Sequence, residues 1–141
     1  MSEVRQQEKH FKFKEKVLGQ FFTPSEVADF IVSLSSFHLK HKESGCDPAC
    51  GDGVFLASML KHGFNEVVGM DIDKKCVEAI PKNEKLKVFV GDALQRMRID
   101  EVNPLLQENY FDLVVGNPPF SAKYGRVKNR AILSSYQLGS G

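Results

Sequence analysis

The sequence has no long apolar run, no cationic excess, no His-x-x-x-His pair and no Gly-x-Gly-x-x-Gly loop, and each absence removes a class of function. Runs as short as Val54-Phe55-Leu56-Ala57 cannot span a bilayer, and the polar first residues are unlike a secretory signal. A soluble, cytoplasmic protein without membrane contact is therefore expected. Lys plus Arg number 19 against 18 Asp plus Glu, a formal charge of +1, so contact with a polyanion has to be local rather than global. The three cysteines, Cys46, Cys50 and Cys76, are an odd set without secretory context, which favours reduced thiols over a disulfide framework. Cys46 and Cys50 invite a zinc reading, but His10, His38, His41 and His62 supply no matched spacing, and no metal is expected. The two cysteines read as small apolar residues beside a tight loop. Internal repeats and low-complexity stretches are absent as well.

What is present is 42% hydrophobic residues, enough for the core of one domain. Within residues 1–19, Glu3 to Leu18 mix charge with Phe11, Phe13, Val17 and Leu18 and read as either an amphipathic helix or an arm. Thr23-Pro24-Ser25-Glu26 then sets a hydroxyl, a proline and a glutamate at the N-cap, N1 and N3 positions of a capping box, which predicts a helix start. Val27, Phe30, Ile31 and Leu34 follow at helical spacing, so this stripe is expected to pack on a neighbour.

After the polar stretch from His38 to Gly45, strand and helix patterns alternate. Alternation of this kind favours a parallel sheet with helices on its faces, an α/β three-layer architecture. Strands are expected at Ser44 to Pro48, Glu66 to Met70, Leu86 to Val90 and Phe111 to Val115, in the spatial order third, second, first, fourth. Helices are expected at Gly53 to His62 and at Lys74 to Ile80, the latter capped by Asp73, and Asn103 to Asn109 is a short helix or a loop.

Open parallel sheets bind ligands outside the carboxyl ends of their strands, and every chemically suggestive motif here falls at such an end. Asp47-Pro48-Ala49-Cys50-Gly51-Asp52-Gly53 follows the first strand, and its glycines permit a sharp turn and close approach to a ligand. Asp71 ends the second strand, 20 residues after Gly51, where a carboxylate can accept both hydroxyl protons of a ribose or else shape a turn. Gly91-Asp92 follows the third, and Asp92 can take a hydrogen bond from an exocyclic amine or serve as an ordinary turn residue. Asn117-Pro118-Pro119-Phe120 follows the fourth. Two prolines remove two donors and stiffen the chain, leaving the Asn117 amide oxygen and the Pro118 carbonyl as a row of acceptors beside an aromatic ring. Such a row suits an amino group on a planar base. Accepting both N–H hydrogens leaves the nitrogen lone pair to attack, and Phe120 can stack on a base held outside the duplex.

These motifs, in this order, resemble those of the amino-methyltransferases that modify adenine in DNA. Asp47 to Gly53 resembles their first methionine-side loop and Asn117 to Phe120 their catalytic motif. Gln20-Phe21-Phe22-Thr23-Pro24 resembles the extra cofactor-contacting motif of the group that includes type I modification subunits and fused restriction-modification enzymes. The resemblance runs over residues 20–120 and implies a partial Rossmann-like class I S-adenosylmethionine-dependent methyltransferase fold. It further implies that Phe22, Thr23 and Pro24, with Asp47, Ala49 and Gly51, line the methionine end of S-adenosylmethionine. Asp71 would hold the ribose, Ile72 cover the adenine ring and Asp92 read its amine. Asn117, Pro118, Pro119 and Phe120 would be the catalytic residues of methyl transfer to the N6 amino group of adenine in DNA, within a restriction-modification system, with no metal needed.

Relatives of this kind continue with further strands and a separate target-recognition domain, so the chain reads as a truncation, an engineered fragment or a degenerate product. A sequence-recognition subunit or a missing C-terminal domain is the expected partner. The strand Phe111 to Val115, apolar apart from Asp112 and deprived of a further neighbour, is expected to leave an exposed edge, which makes the isolated chain either a homodimer through that edge or a poorly soluble monomer. In residues 121–141, Lys123, Arg126, Lys128 and Arg130 around Tyr124 either touch phosphates or form a solvated loop. Three rival readings stand beside the main one. The chain could be an inactive S-adenosylmethionine-binding fragment or assembly module, or a methyltransferase of a protein glutamine or an RNA base. A nicotinamide-dependent oxidoreductase is disfavoured by the glycine spacing and the double proline.

Overall fold

In the computed structural model, which describes residues 22–93 and 110–118, the elements follow one another as the alternating pattern requires. They are α1 (Ser25–Ser36), β1 (Ser44–Asp47), α2 (Val54–Lys61), β2 (Glu66–Asp71), α3 (Lys74–Ala79), β3 (Leu86–Val90) and β4 (Leu113–Val114). The strands form one four-stranded sheet in the order β3-β2-β1-β4 among the described residues, every pairing parallel. This is the expected order, and it places β1 and β2 in the interior.

The core lies where α2 covers the sheet and α1 packs on α2, around Val32, Phe55, Leu56, Met59, Phe64 and Val67. Helix α2 approaches the strands closely because glycines face it. A Cβ added at Gly69 of β2 would sit 2.6 Å from Leu56, and one at Gly45 of β1 would strike the sulfur of Met59. Val68, next to the core residue Val67 on the strand and therefore on the opposite face, is buried as well. Both faces of β2 are thus covered, as in a parallel sheet clothed on two sides.

Helix α1 departs from expectation in its orientation. Of the predicted stripe, Val27, Phe30 and Leu34 are 45%, 67% and 62% exposed, and only Ile31 packs on the core. The buried seam is Ala28, Val32 and Ser36, small residues that let α1 lie close to α2. Asp29 holds this seam from its edge by accepting from Ser58 Oγ at 2.9 Å and from Lys61 Nζ. The capping box is absent too. Pro24 is the N-cap, its carbonyl accepts from Val27 and Ala28 N–H at 3.1 and 3.0 Å, and no side chain caps the helix.

β4 is shorter than Phe111 to Val115, two residues long, with Val114 61% exposed, so burial on both faces fails for this strand among the described residues. It is nonetheless firmly attached to β1. Asp112 Oδ2 accepts from the backbone N–H groups of Glu43 and Ser44 at 2.8 and 3.0 Å, and Val115 N–H donates to the Cys46 carbonyl at 2.9 Å. Glu66 of β2 accepts from both Lys87 of β3 and the Tyr110 hydroxyl, a bridge across the sheet. No helix among the described residues is long and apolar enough to cross a membrane. The helix or arm expected at residues 1–19, the element at Asn103 to Asn109 and the basic run of residues 121–141 lie outside the described residues.

Candidate functional site

The carboxyl ends of β1, β2 and β4 meet the start of α1 around a small cleft that is open to solvent. Its floor is the loop from Asp47 to Gly53. Asp47 ends β1 and its Oδ1 accepts from Ala49 N–H at 3.0 Å, closing the turn onto Pro48. Gly51, at φ +52°, turns the loop back with a conformation that a side chain would strain, and the Phe22 ring lies over it. Gly53, at φ +82°, starts α2.

Asp71 ties this loop to the next. Its Oδ2 accepts from Gly51 N–H and its Oδ1 from Asp73 N–H, each at 2.8 Å. Asp73 in turn accepts from Lys75 N–H at 2.9 Å and caps α3, as expected for it. Asp71 therefore fulfils the turn role, while each carboxylate oxygen keeps a second lone pair for a ligand. Gly91 N–H donates to the Asp71 carbonyl at 2.9 Å, which brings the Gly91-Asp92 turn alongside.

The fourth motif reaches the cleft because Gly116 lacks a side chain, since a Cβ there would collide with the Asp47 carboxylate. The next residue, Asn117, is thereby brought into the wall of the cleft, where its Nδ2 donates to Thr23 Oγ1 at 3.4 Å.

Acidity dominates the lining. Asp47, Asp52 and Asp71 contribute carboxylates, and no Lys or Arg is among the described residues of the wall. Burial pushes the Asp47 carboxyl up to about 6, against the hydrogen bond from Ala49 and with help from the neighbouring charges of Asp71 and Asp52. A polyphosphate would be repelled here, whereas a cationic ligand would offset the cost of the buried Asp47 and Asp71 carboxylates. The charge pattern thus fits a sulfonium with an ammonium group and disfavours a dinucleotide. Burial likewise raises the Cys46 and Cys50 thiols to about 12, so both stay protonated at neutral pH.

Of the residues singled out in the sequence, Phe22, Thr23, Asp47, Ala49, Gly51, Asp71 and Asn117 come together in the wall of this cleft. Pro24 begins α1, Asp92 lies beyond β3, and Pro118 is exposed at the end of the described residues. Ile72 is 70% exposed just past β2. Pro119 and Phe120 fall outside the described residues. Val54 and Phe55 also line the cleft, and nothing in their apolar character distinguishes them from core residues of the same helix.

A family model described as N-6 DNA Methylase matches residues 8–138 of the chain. The Type II methyltransferase M.VspI of Vibrio sp. (strain 343) is 29% identical over 145 residues, covering 99% of this chain and 34% of the relative. The methylase subunit of the type I restriction enzyme MjaIX of Methanocaldococcus jannaschii is 31% identical over 121 residues, or 78% of this chain and 21% of the relative. Among solved structures, a Pyrococcus horikoshii protein provisionally assigned as an RNA methyltransferase superposes with a TM-score of 0.56 at 29% identity, covering 74% of this chain and 51% of that one. The chain spans about a third of the length of M.VspI and about a fifth of the MjaIX subunit. The parallel sheet, its order and these neighbours agree on a partial Rossmann-like methyltransferase fold.

Proposed function

The chain belongs to the N-6 DNA methylase family, and on that premise we propose that it carries the cofactor-binding and amine-positioning part of an adenine-specific DNA methyltransferase in a restriction-modification system. The observation that carries the reading is the convergence of Asn117 with the Asp47 to Gly51 loop in one acidic cleft at the carboxyl ends of parallel strands. S-adenosylmethionine, when bound, supplies a methyl group on a positively charged sulfur. Phe22, Thr23 and Pro24 with Asp47, Ala49 and Gly51 would hold its methionine end, Asp71 its ribose, and Ile72 and Asp92 its adenine.

On the substrate side, the Asn117 amide oxygen and the Pro118 carbonyl accept the two N–H hydrogens of the adenine amine, and Phe120 stacks on the base. The two acceptors would orient the nitrogen so that its lone pair points toward the methyl group that the cofactor would supply, the sulfur retaining the electron pair of its former bond to that methyl. They bind the developing ammonium more strongly than the neutral amine, and the proton leaves to water once nitrogen is cationic. Pro119 stiffens the row. A sequence-recognition subunit or further domain supplies target choice, and the β4 edge pairs with further polypeptide, a second copy of the chain being the simplest.

The test is Asn117→Ala in the full-length or complemented enzyme. Methylation of adenine in DNA is expected to vanish while affinity for S-adenosylmethionine, measured by calorimetry, stays within about twofold, because the amide acts on the amine in the transition state. A near-normal rate in the variant would refute the acceptor row. The likeness to the protein assigned as an RNA methyltransferase makes an RNA base the second reading, so RNA oligonucleotides belong in the same assay.

A further inference from the structure

A threonine just before a helix is ordinarily its cap, yet here the Thr23 hydroxyl caps nothing in α1 and instead accepts from Asn117 Nδ2 at 3.4 Å, across 94 residues of sequence. Both ends of this contact ride on well-held elements. Thr23 precedes Pro24, whose φ of −57° is fixed by its ring and whose carbonyl is committed to Val27 and Ala28 N–H. Helix α1 is in turn fastened to α2 through Asp29 and Ser58. Asn117 is held through Gly116, which fits against Asp47, and through the attachment of Val115 to Cys46.

An asparagine amide has a donor end and an acceptor end that are similar in shape, so a rotation of half a turn about its last torsion reverses its chemistry. Only one orientation presents oxygen to an amine. We propose that Thr23 is a positioning residue for Asn117: its hydroxyl takes the amide nitrogen and thereby turns the amide oxygen toward the amine to be methylated. This rests on the reading of Asn117 as an acceptor for that amine, and it gives Thr23 a duty beyond lining the cofactor's methionine end. A bond of 3.4 Å is long, as catalytic hydrogen bonds often are before substrate tightens them.

The test uses the full-length enzyme, with its recognition partner, labelled with 15N-asparagine. Thr23→Val removes the hydroxyl at nearly constant volume, and Thr23→Ser restores it. In Thr23→Val the single-turnover rate of methyl transfer at saturating S-adenosylmethionine is expected to fall about tenfold, the scale of one lost hydrogen bond, and in Thr23→Ser to regain most of that loss. The side-chain NH2 resonances of Asn117, identified by their disappearance in Asn117→Ala, should shift in Thr23→Val and stay near their wild-type positions in Thr23→Ser. Unmoved Asn117 resonances in Thr23→Val would overturn the proposal. So would a Thr23→Val enzyme that binds the cofactor less tightly but turns over normally at saturation. A wild-type enzyme that methylates neither DNA nor RNA, with the Asn117 resonances still shifting in Thr23→Val, would sink the methyltransferase reading and leave the positioning contact standing.

Discussion

Two aspartates close their strands in the same way and carry different burdens. Asp71 spends each oxygen on a backbone N–H, which fixes the geometry of the floor. Asp47 has one such bond, lies buried against Gly116, and is pushed to about 6 chiefly by burial. A carboxyl whose pKa is raised by folding contributes stability that is complete below its ordinary value of 3.8 and lost as pH rises through about 6. Asp47→Asn, which keeps an acceptor for Ala49, is therefore expected to be more heat-stable than the wild type at pH 7 to 8 (about neutral) and to flatten the stability profile between about pH 4 and 6. Thermal unfolding across that range checks it. Ligand binding should respond in the opposite sense. Protonation of Asp47 removes a negative charge facing a cationic cofactor, so affinity for S-adenosylmethionine should drop as pH falls through about 6, and that dependence should be lost in Asp47→Asn. Calorimetric titrations at several pH values would show no such difference if Asp47 were remote from the cofactor's charge. Both aspartates were legible in the sequence because strand ends and glycine loops advertise themselves locally. The Thr23 to Asn117 contact was not, since no local pattern links a residue just before α1 with one just after β4.

At the scale of elements, most boundaries follow the apolar pattern to within a residue or so, β3 at Leu86–Val90 without any change. The orientation of α1 does not, and the reason is packing rather than propensity. Periodicity reports where large apolar residues recur, whereas the seam against α2 is chosen by closeness, which favours Ala28 and Ser36 beside Val32. A pair of substitutions separates the two faces. Ala28→Leu, at a fully buried site, should lower unfolding free energy by about 1 to 3 kcal/mol through overpacking. Phe30→Ser, on the exposed face, should change it by no more than about 0.5 kcal/mol. Urea denaturation of both variants decides, and the reverse ranking would restore the predicted stripe. Across the sheet, Tyr110→Phe deletes the hydroxyl that donates to Glu66 and is expected to cost about 1 kcal/mol, read by the same method.

For the whole molecule, the strand order followed from the alternation of elements, because right-handed crossovers leave few ways to arrange parallel strands. The extent of β4 did not follow. Four apolar residues around Asp112 suggested a central strand, but a strand is completed by its neighbours, and among the described residues β4 is paired on one side alone, with Val114 exposed. Val114→Lys should reduce self-association of the 141-residue chain, seen by light scattering as a shift toward the monomer mass. The same chain assayed alone is expected to show no DNA methylation, with activity appearing when the rest of a full-length relative or a recognition subunit is supplied. Vigorous methylation by the chain alone would mean that the additional length of M.VspI and similar proteins is dispensable for chemistry.

The placement of β1 between β2 and β4 also sets a timetable. Asp112 grips the start of β1 across 68 residues, whereas the pairing of Ser44 with Glu66 closes a much shorter loop. At synthesis rates of about 5 to 20 residues per second, the partner for the far side of β1 leaves the ribosome about 3 to 14 seconds after β1 itself. During that interval the floor of the cleft, built from the ends of β1 and β2, can assemble while one edge of β1 stays open. Asn117 follows β4, so among the described residues the amide in the cleft wall joins its floor only after both central strands have been made.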